Sequence, residues 1–172
     1  MYLTWDTTEI TRAYDDGDYG PYPRKIGVSV FKIPPFDGSS GIPACTLYYY
    51  QDAHSGDADL LVNSWWFESM SWPPYPSQPY YNAMFLAIWN STDTVATDST
   101  RTNDDDWYKV PLTTAACAAI ADSATYYYEY HEGDSCTFYM GWVYGGTEDE
   151  YYTDVSGTYA SNPPYIKVVY ED

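Results

Sequence analysis

Few residues in this chain are equipped for acid–base or nucleophilic chemistry, and they are scattered. The imidazoles are His54 and His131. His54 lies in the polar stretch Asp52-Ala53-His54-Ser55-Gly56-Asp57, and His131 follows a tyrosine run beside Glu132. Catalysis needs a positioned acid, base or nucleophile with a tuned pKa. The sequence has no nucleophile elbow, P-loop, HExxH or paired CxxC motif. Both histidines therefore read as ordinary surface residues, and the chain reads as a non-enzyme. With 25 Asp and Glu, a glycosidase-like carboxylate pair arises by chance, so an acidic hydrolase or lyase is the weakest reading.

Binding chemistry is better represented. Calcium takes several oxygen ligands from close loops. Candidate ligands are Asp15, Asp16 and Asp18, then Asp104, Asp105 and Asp106. Glu148-Asp149-Glu150 and the pair Asp57 and Asp59 are further acidic groups, and none matches an EF-hand. Solvated acidic loops are the plainer reading of each. Exposed aromatic rings stack on sugars or anchor interfaces. Trp72, Tyr75, Tyr80 and Tyr81 sit in or beside the run Trp72-Pro73-Pro74-Tyr75-Pro76, the candidate ligand-binding loop. Tyr48, Tyr50, Tyr126, Tyr128 and Tyr130 are expected on strand faces, half-buried with wet hydroxyls. Asn90-Ser91-Thr92 is a formal glycosylation triplet, of a kind that also arises by chance.

Charge narrows the partners. Seven Lys and Arg against 25 acids give a net charge of −18. Nucleic-acid affinity rests on phosphate neutralisation by cations, so nucleic acid is excluded as a partner, and an anionic membrane is disfavoured. Calcium, a neutral glycan, a basic partner or a protein assembly remain. No apolar run approaches the ~20 residues of a membrane span. Met1 to Tyr14 has acids and no apolar stretch, so it is not a secretory signal. Either the mature chain was restarted at this methionine or it reaches the outside by another route, such as incorporation into a virus particle. Cys45, Cys117 and Cys136 are an odd set. They fit one bridge plus one buried thiol, or three buried thiols.

These groups must be positioned by strands. The 22 Tyr and 7 Trp favour pleated, half-buried surfaces, and 11 Gly and 12 Pro suit many turns. Residues 1–24 read as a polar arm, ahead of one β-sandwich domain over 25–172. Period-two alternation predicts strands at Lys25 to Ile33, Ala44 to Gln51, Leu60 to Glu68, Asn82 to Trp89, Trp107 to Leu112, Ala124 to His131, Cys136 to Tyr144 and Pro164 to Tyr170. Thr113 to Ser123 is the one helix, with Thr113 or Thr114 as its cap. Asp52 to Asp59, Ser91 to Asp106 and Gly145 to Gly157 read as polar connections. The class is all-β: a single jelly-roll-like sandwich of about seven to eight antiparallel strands with one short helix.

The run Pro43-Ala44-Cys45-Thr46-Leu47-Tyr48-Tyr49-Tyr50 through Leu61-Val62-Asn63-Ser64-Trp65 resembles the early strands of DNRLRE-type domains. Asp106-Trp107-Tyr108-Lys109-Val110-Pro111-Leu112-Thr113 is similar to their mid-domain strand, and Asn162-Pro163-Pro164-Tyr165-Ile166-Lys167-Val168-Val169-Tyr170-Glu171 to their closing strand. Ser71-Trp72-Pro73-Pro74 echoes the family's tryptophan-threonine-tryptophan segment loosely. The resemblance covers about half the chain. It implies an extracellular jelly roll related to alginate-type carbohydrate-binding modules, and carries over no binding residue.

The expectation is a structural or adhesive module on the outside of a virus particle, as a decoration or fibre protein, or of a cell. It acts through self-assembly or docking to a larger protein assembly. The alternative is a carbohydrate-binding module for an extracellular polysaccharide. No cofactor is required by either reading, and calcium is the candidate ion.

Overall fold

In this computed structural model the described residues are 7–11, 27–33, 44–55, 60–66, 94–98, 103–130, 136–144, 152–157 and 160–169. Strands dominate these residues, and all pairings are antiparallel. In chain order they are β1 (Thr7–Thr11), β2 (Gly27–Ile33), β3 (Ala44–Ser55), β4 (Leu60–Trp66), β5 (Thr94–Asp98) and β6 (Asp106–Pro111). Helix α1 (Thr114–Tyr130) follows, then β7 (Cys136–Tyr144), β8 (Tyr152–Ser156) and β9 (Tyr165–Val169). One sheet has the order β1-β8-β3-β6, with β9 also on β3, and the other has the order β2-β7-β4-β5.

The pairings are nested. β4 pairs with β5, β3 with β6, β2 with β7 and β1 with β8, the pattern of one long hairpin wrapped over itself. Two further pairings, β3 with β8 and β4 with β7, join these ribbons into sheets. β3 is long enough to hold two partners end to end. Ala44 to Tyr48 face β9, and Gln51 to Ser55 face β8, with a register shift between Gln51 and Ala53.

Alternation in β3 sets the two sides of its sheet. Cys45, Leu47, Tyr49 and Gln51 are buried, whereas Thr46, Tyr48 and Tyr50 are only half-buried. Cys45, Leu47 and Tyr49 join one apolar cluster drawn from both sheets and the helix, including Phe31, Ala96, Val110, Ile120, Met140 and Val155. Ala116, Cys117, Ile120 and Ala124 form the buried stripe of α1, at the three- and four-residue spacing of a helix face. Cys45 and Cys117 are buried and form no disulfide. Burial first, and then the neighbouring Cys117 thiol, push the Cys45 pKa up to about 12. Among the described residues no helix is long and apolar enough to cross a membrane.

The helix is longer than its sequence suggests. It continues through Tyr130, replacing the strand expected over Ala124 to His131. Tyr126, Tyr127 and Tyr128 are consecutive, so their alternation carried no information about period. Extending an existing helix costs far less than nucleating a new element, and no Gly or Pro interrupts it before Gly133. At its start the Ala116 N–H donates to Thr113 Oγ1 at 3.3 Å, which makes Thr113 the cap. Thr113→Ala is expected to cost about 1 kcal/mol, measured as a lower urea midpoint at unchanged slope.

Four other expectations change. β3 runs on through Ser55, so His54 stands on a strand and not in a turn. β5 lies inside the expected Ser91 to Asp106 connection, and β8 inside Gly145 to Gly157. Thr7 to Thr11, within the polar arm, pair along the whole of β8. The strand expected at Asn82 to Trp89 lies outside the described residues.

Candidate functional site

The outer face of the β3 sheet gathers the aromatic residues. Register places Tyr165 of β9 opposite Tyr48, and Trp107 of β6 opposite Tyr50. The Tyr48 and Tyr165 rings are parallel within 5° at a centroid distance of 4.7 Å. At that separation parallel rings cannot lie side by side in one plane. They overlap face to face. Trp107 closes the group, 5.7 Å from Tyr165 and edge-on to Tyr50 at 5.6 Å. Trp107 and Tyr165 remain 42% and 47% exposed. A tryptophan left this open on a rigid strand forgoes burial free energy that a partner can recover.

Polar groups border this cluster at each end. Beyond Trp107 lie the exposed residues Asp104, Asp105 and Asp106, and Asp105 adopts a positive φ of 55°. The Tyr50 hydroxyl is held above its ordinary pKa by partial burial and by the carboxylates of Asp105, Asp52 and Asp106. Toward the other end, Lys109 stands opposite Tyr48 and Lys167 opposite Thr46. Both lysines are exposed.

The acidic bend is braced from β3. Gln51 is fully buried, and its Nε2 donates to the Asn103 carbonyl at 2.8 Å. His54 Nδ1 lies 2.6 Å from Asp104 Oδ1 and 3.1 Å from Gln51 Nε2. A proton on Nδ1 thus reaches the Asp104 carboxylate. The Tyr108 hydroxyl accepts from the Asn103 N–H at 2.7 Å and donates to its carbonyl at 3.0 Å. The Trp107 N–H donates to Asp106 Oδ1 at 2.8 Å. An Asp–His pair orients an imidazole, but the nearby Ser156 hydroxyl bonds Asp52, at 2.9 and 3.1 Å, and not His54.

Of the sequence candidates, Asp104, Asp105 and Asp106 fall beside the aromatic cluster. Asp104 contacts His54, and Asp106 bonds its own strand. Among the described residues no three His, Cys, Asp or Glu converge as a metal-binding group. Asp15, Asp16 and Asp18, and the aromatic candidates Trp72, Tyr75, Tyr80 and Tyr81, lie outside the described residues. Tyr48 and Tyr50 are on the face expected of them. Tyr126 and Tyr130 are exposed on α1 instead, with rings 5.0 Å apart.

Trp107 and Tyr165 were not singled out as binding residues from sequence. Their signal was there: each sits two residues before a lysine, in Trp107-Tyr108-Lys109 and Tyr165-Ile166-Lys167, so each shares a strand face with a residue that must stay wet. No protein-family model matches the chain, and no curated protein matches it.

Proposed function

We propose that this chain is a non-enzymatic structural or adhesive jelly-roll module, displayed on the outside of a virus particle or cell, and that it docks through the outer face of the β3 sheet. The jelly-roll assignment is supported by the nested pairings and the sheet orders 1-8-3-6 and 2-7-4-5. That is the order of a hairpin rolled into two sheets, an architecture used in capsid and lectin domains. The resemblance to DNRLRE-type domains points to the same fold. Fold alone does not assign function.

One observation carries the functional reading: Trp107 and Tyr165 stand exposed on β6 and β9, on either side of β3, packed with Tyr48 and Tyr50. Trp and Tyr dominate the energetics of protein interfaces, and here their rotamers are already held by ring contacts, so little entropy is lost on docking. The overlapped Tyr48 and Tyr165 rings cover one another's faces. That favours a protein partner over a flat sugar, which needs free ring faces.

Immunolabelling of the intact particles or cells that make the protein is expected to place it on the outer surface. The Trp107→Ser, Tyr165→Ser double variant, folded by circular dichroism, is expected to lose most of that labelling, at least about tenfold by the size of interface hot spots. Labelling that needs lysis, or a double variant that stays bound, rules the reading out. A polysaccharide ligand on a glycan array, lost in the same variant, moves the assignment to the carbohydrate-binding alternative.

A further inference from the structure

The docking face is ordered by charge along its strands. β6 and β9 both run antiparallel to β3, so they run in the same direction. In each, the lysine therefore lies on the same side of the aromatic residue. Along β3 the face reads as Lys167 beside Thr46, then a row of Tyr165, Tyr48 and Lys109, then a row of Tyr50 and Trp107, with the carboxylates of Asp105, Asp52 and Asp106 near Tyr50 at the far end. Two of the chain's seven basic residues are on this one strip, in a molecule of net charge −18.

A wholly basic partner would meet those lysines unfavourably, and a wholly acidic one would meet the aspartates. A strip with opposite charges at its two ends and rings between them is complementary to its own copy turned end for end. We infer that the partner of this face is a second copy of the chain, related by a two-fold axis lying between the faces at right angles to the strands. Each lysine end then meets the other copy's acidic end, and the aromatic middles pack near the axis. A two-fold interface is self-complementary in this way, and aromatic anchors at its centre with charges at its rim match the usual anatomy.

The inference rests on the contact-face reading above and names its partner. Distant acids do not prevent it, because screening at about 0.15 M salt acts over about 8 Å and leaves facing charges dominant. The strip is three strands wide. With strands ~4.8 Å apart and five residues rising ~3.4 Å each, it falls below the roughly 1,200 Å² total of a standard interface. The pair is therefore in concentration-dependent exchange with monomer.

Sedimentation velocity of the full chain at physiological ionic strength, from micromolar to several hundred micromolar, tests this. The wild type is expected to move from monomer to dimer mass. Lys109→Glu with Lys167→Glu, and separately Asp105→Lys with Asp106→Lys, are each expected to remain monomeric, and their equimolar mixture to restore the dimer. If the aspartate reversal fails to fold, Asp105→Gly with Asp106→Asn replaces it. Glycine suits the positive φ and asparagine keeps the acceptor for the Trp107 N–H, and this variant is expected to weaken the dimer at least about tenfold.

A wild type that stays monomeric throughout, reversals that dimerise normally, or a mixture that stays monomeric overturns the self-pairing. If the Trp107→Ser, Tyr165→Ser variant still loses surface labelling in that event, the contact face stands with another partner. If it loses neither labelling nor mass, both readings fall.

Discussion

Replacing Tyr49 with alanine will lower the stability of this protein by about 3–5 kcal/mol, the range found when a fully buried aromatic side chain is truncated. Tyr49 has no solvent exposure and sits among the largest buried side chains. Its ring stacks on Tyr108 at 5.8 Å, so truncation leaves a hole and removes the support of a second ring. Tyr108 in turn holds both backbone groups of Asn103. The loss therefore extends from the core to the bend that carries Asp104 and Asp105. Urea unfolding followed by tyrosine fluorescence measures it as a lower midpoint with little change in slope. A cost under 1 kcal/mol would mean that the cluster around Leu47, Val110 and Val155 can collapse into the space.

That residue also marks how far the sequence could be read. Alternation located β3 up to Gln51, and the same pattern located β2, β4, β6, β7 and β9 within a few residues. β1, β5 and β8 escaped because their sequences, TTEIT, TVATD and YTDVS, hold few apolar residues each. Pairing places them, and pairing is a property of distant segments. The contact face failed to emerge for a related reason. Tyr48 and Tyr50 were visible as strand-face tyrosines, but only register joins them to Trp107 and Tyr165, which lie 57 and 117 positions from Tyr50 and Tyr48 respectively. His54 read as part of a polar turn because Asp52 and Ser55 are turn-forming residues. The β8 partner instead carries β3 through them, across the irregularity after Gln51.

Alkaline pH will destabilise the protein through Cys45. The folded state holds the thiol proton up to about pH 12, from an ordinary value of 9.0, because the charged thiolate is disfavoured in the core beside Cys117. Below pH 9 the thiol is protonated in both states and has no effect on the balance. Between pH 9 and about 12 the unfolded chain releases the proton first, so stability falls as pH rises through this window. The other alkaline titrations, chiefly of 22 tyrosines, are common to wild type and a Cys45→Ala variant. The measurement is therefore the difference in the pH dependence of urea midpoints between the two. Parallel profiles from pH 9 to 12 would show that Cys45 does not titrate differently in the folded and unfolded states.

The nested pairing of strands has a consequence for the time course of folding. β4 and β5 are separated by 27 residues of chain, whereas β1 and β8 are separated by 140. Closing the outermost pair directly is slow, since contacts between sequence-distant segments delay folding. Once β4·β5 has formed, however, β3 and β6 are already neighbours, and each rung shortens the search for the next. Doubling an open loop costs only about 0.6 kcal/mol, but four such closures made independently would each meet their own search. The topology thus favours a zipper running outward from β4·β5. The β1·β8 rung is the last to close and the first to fray.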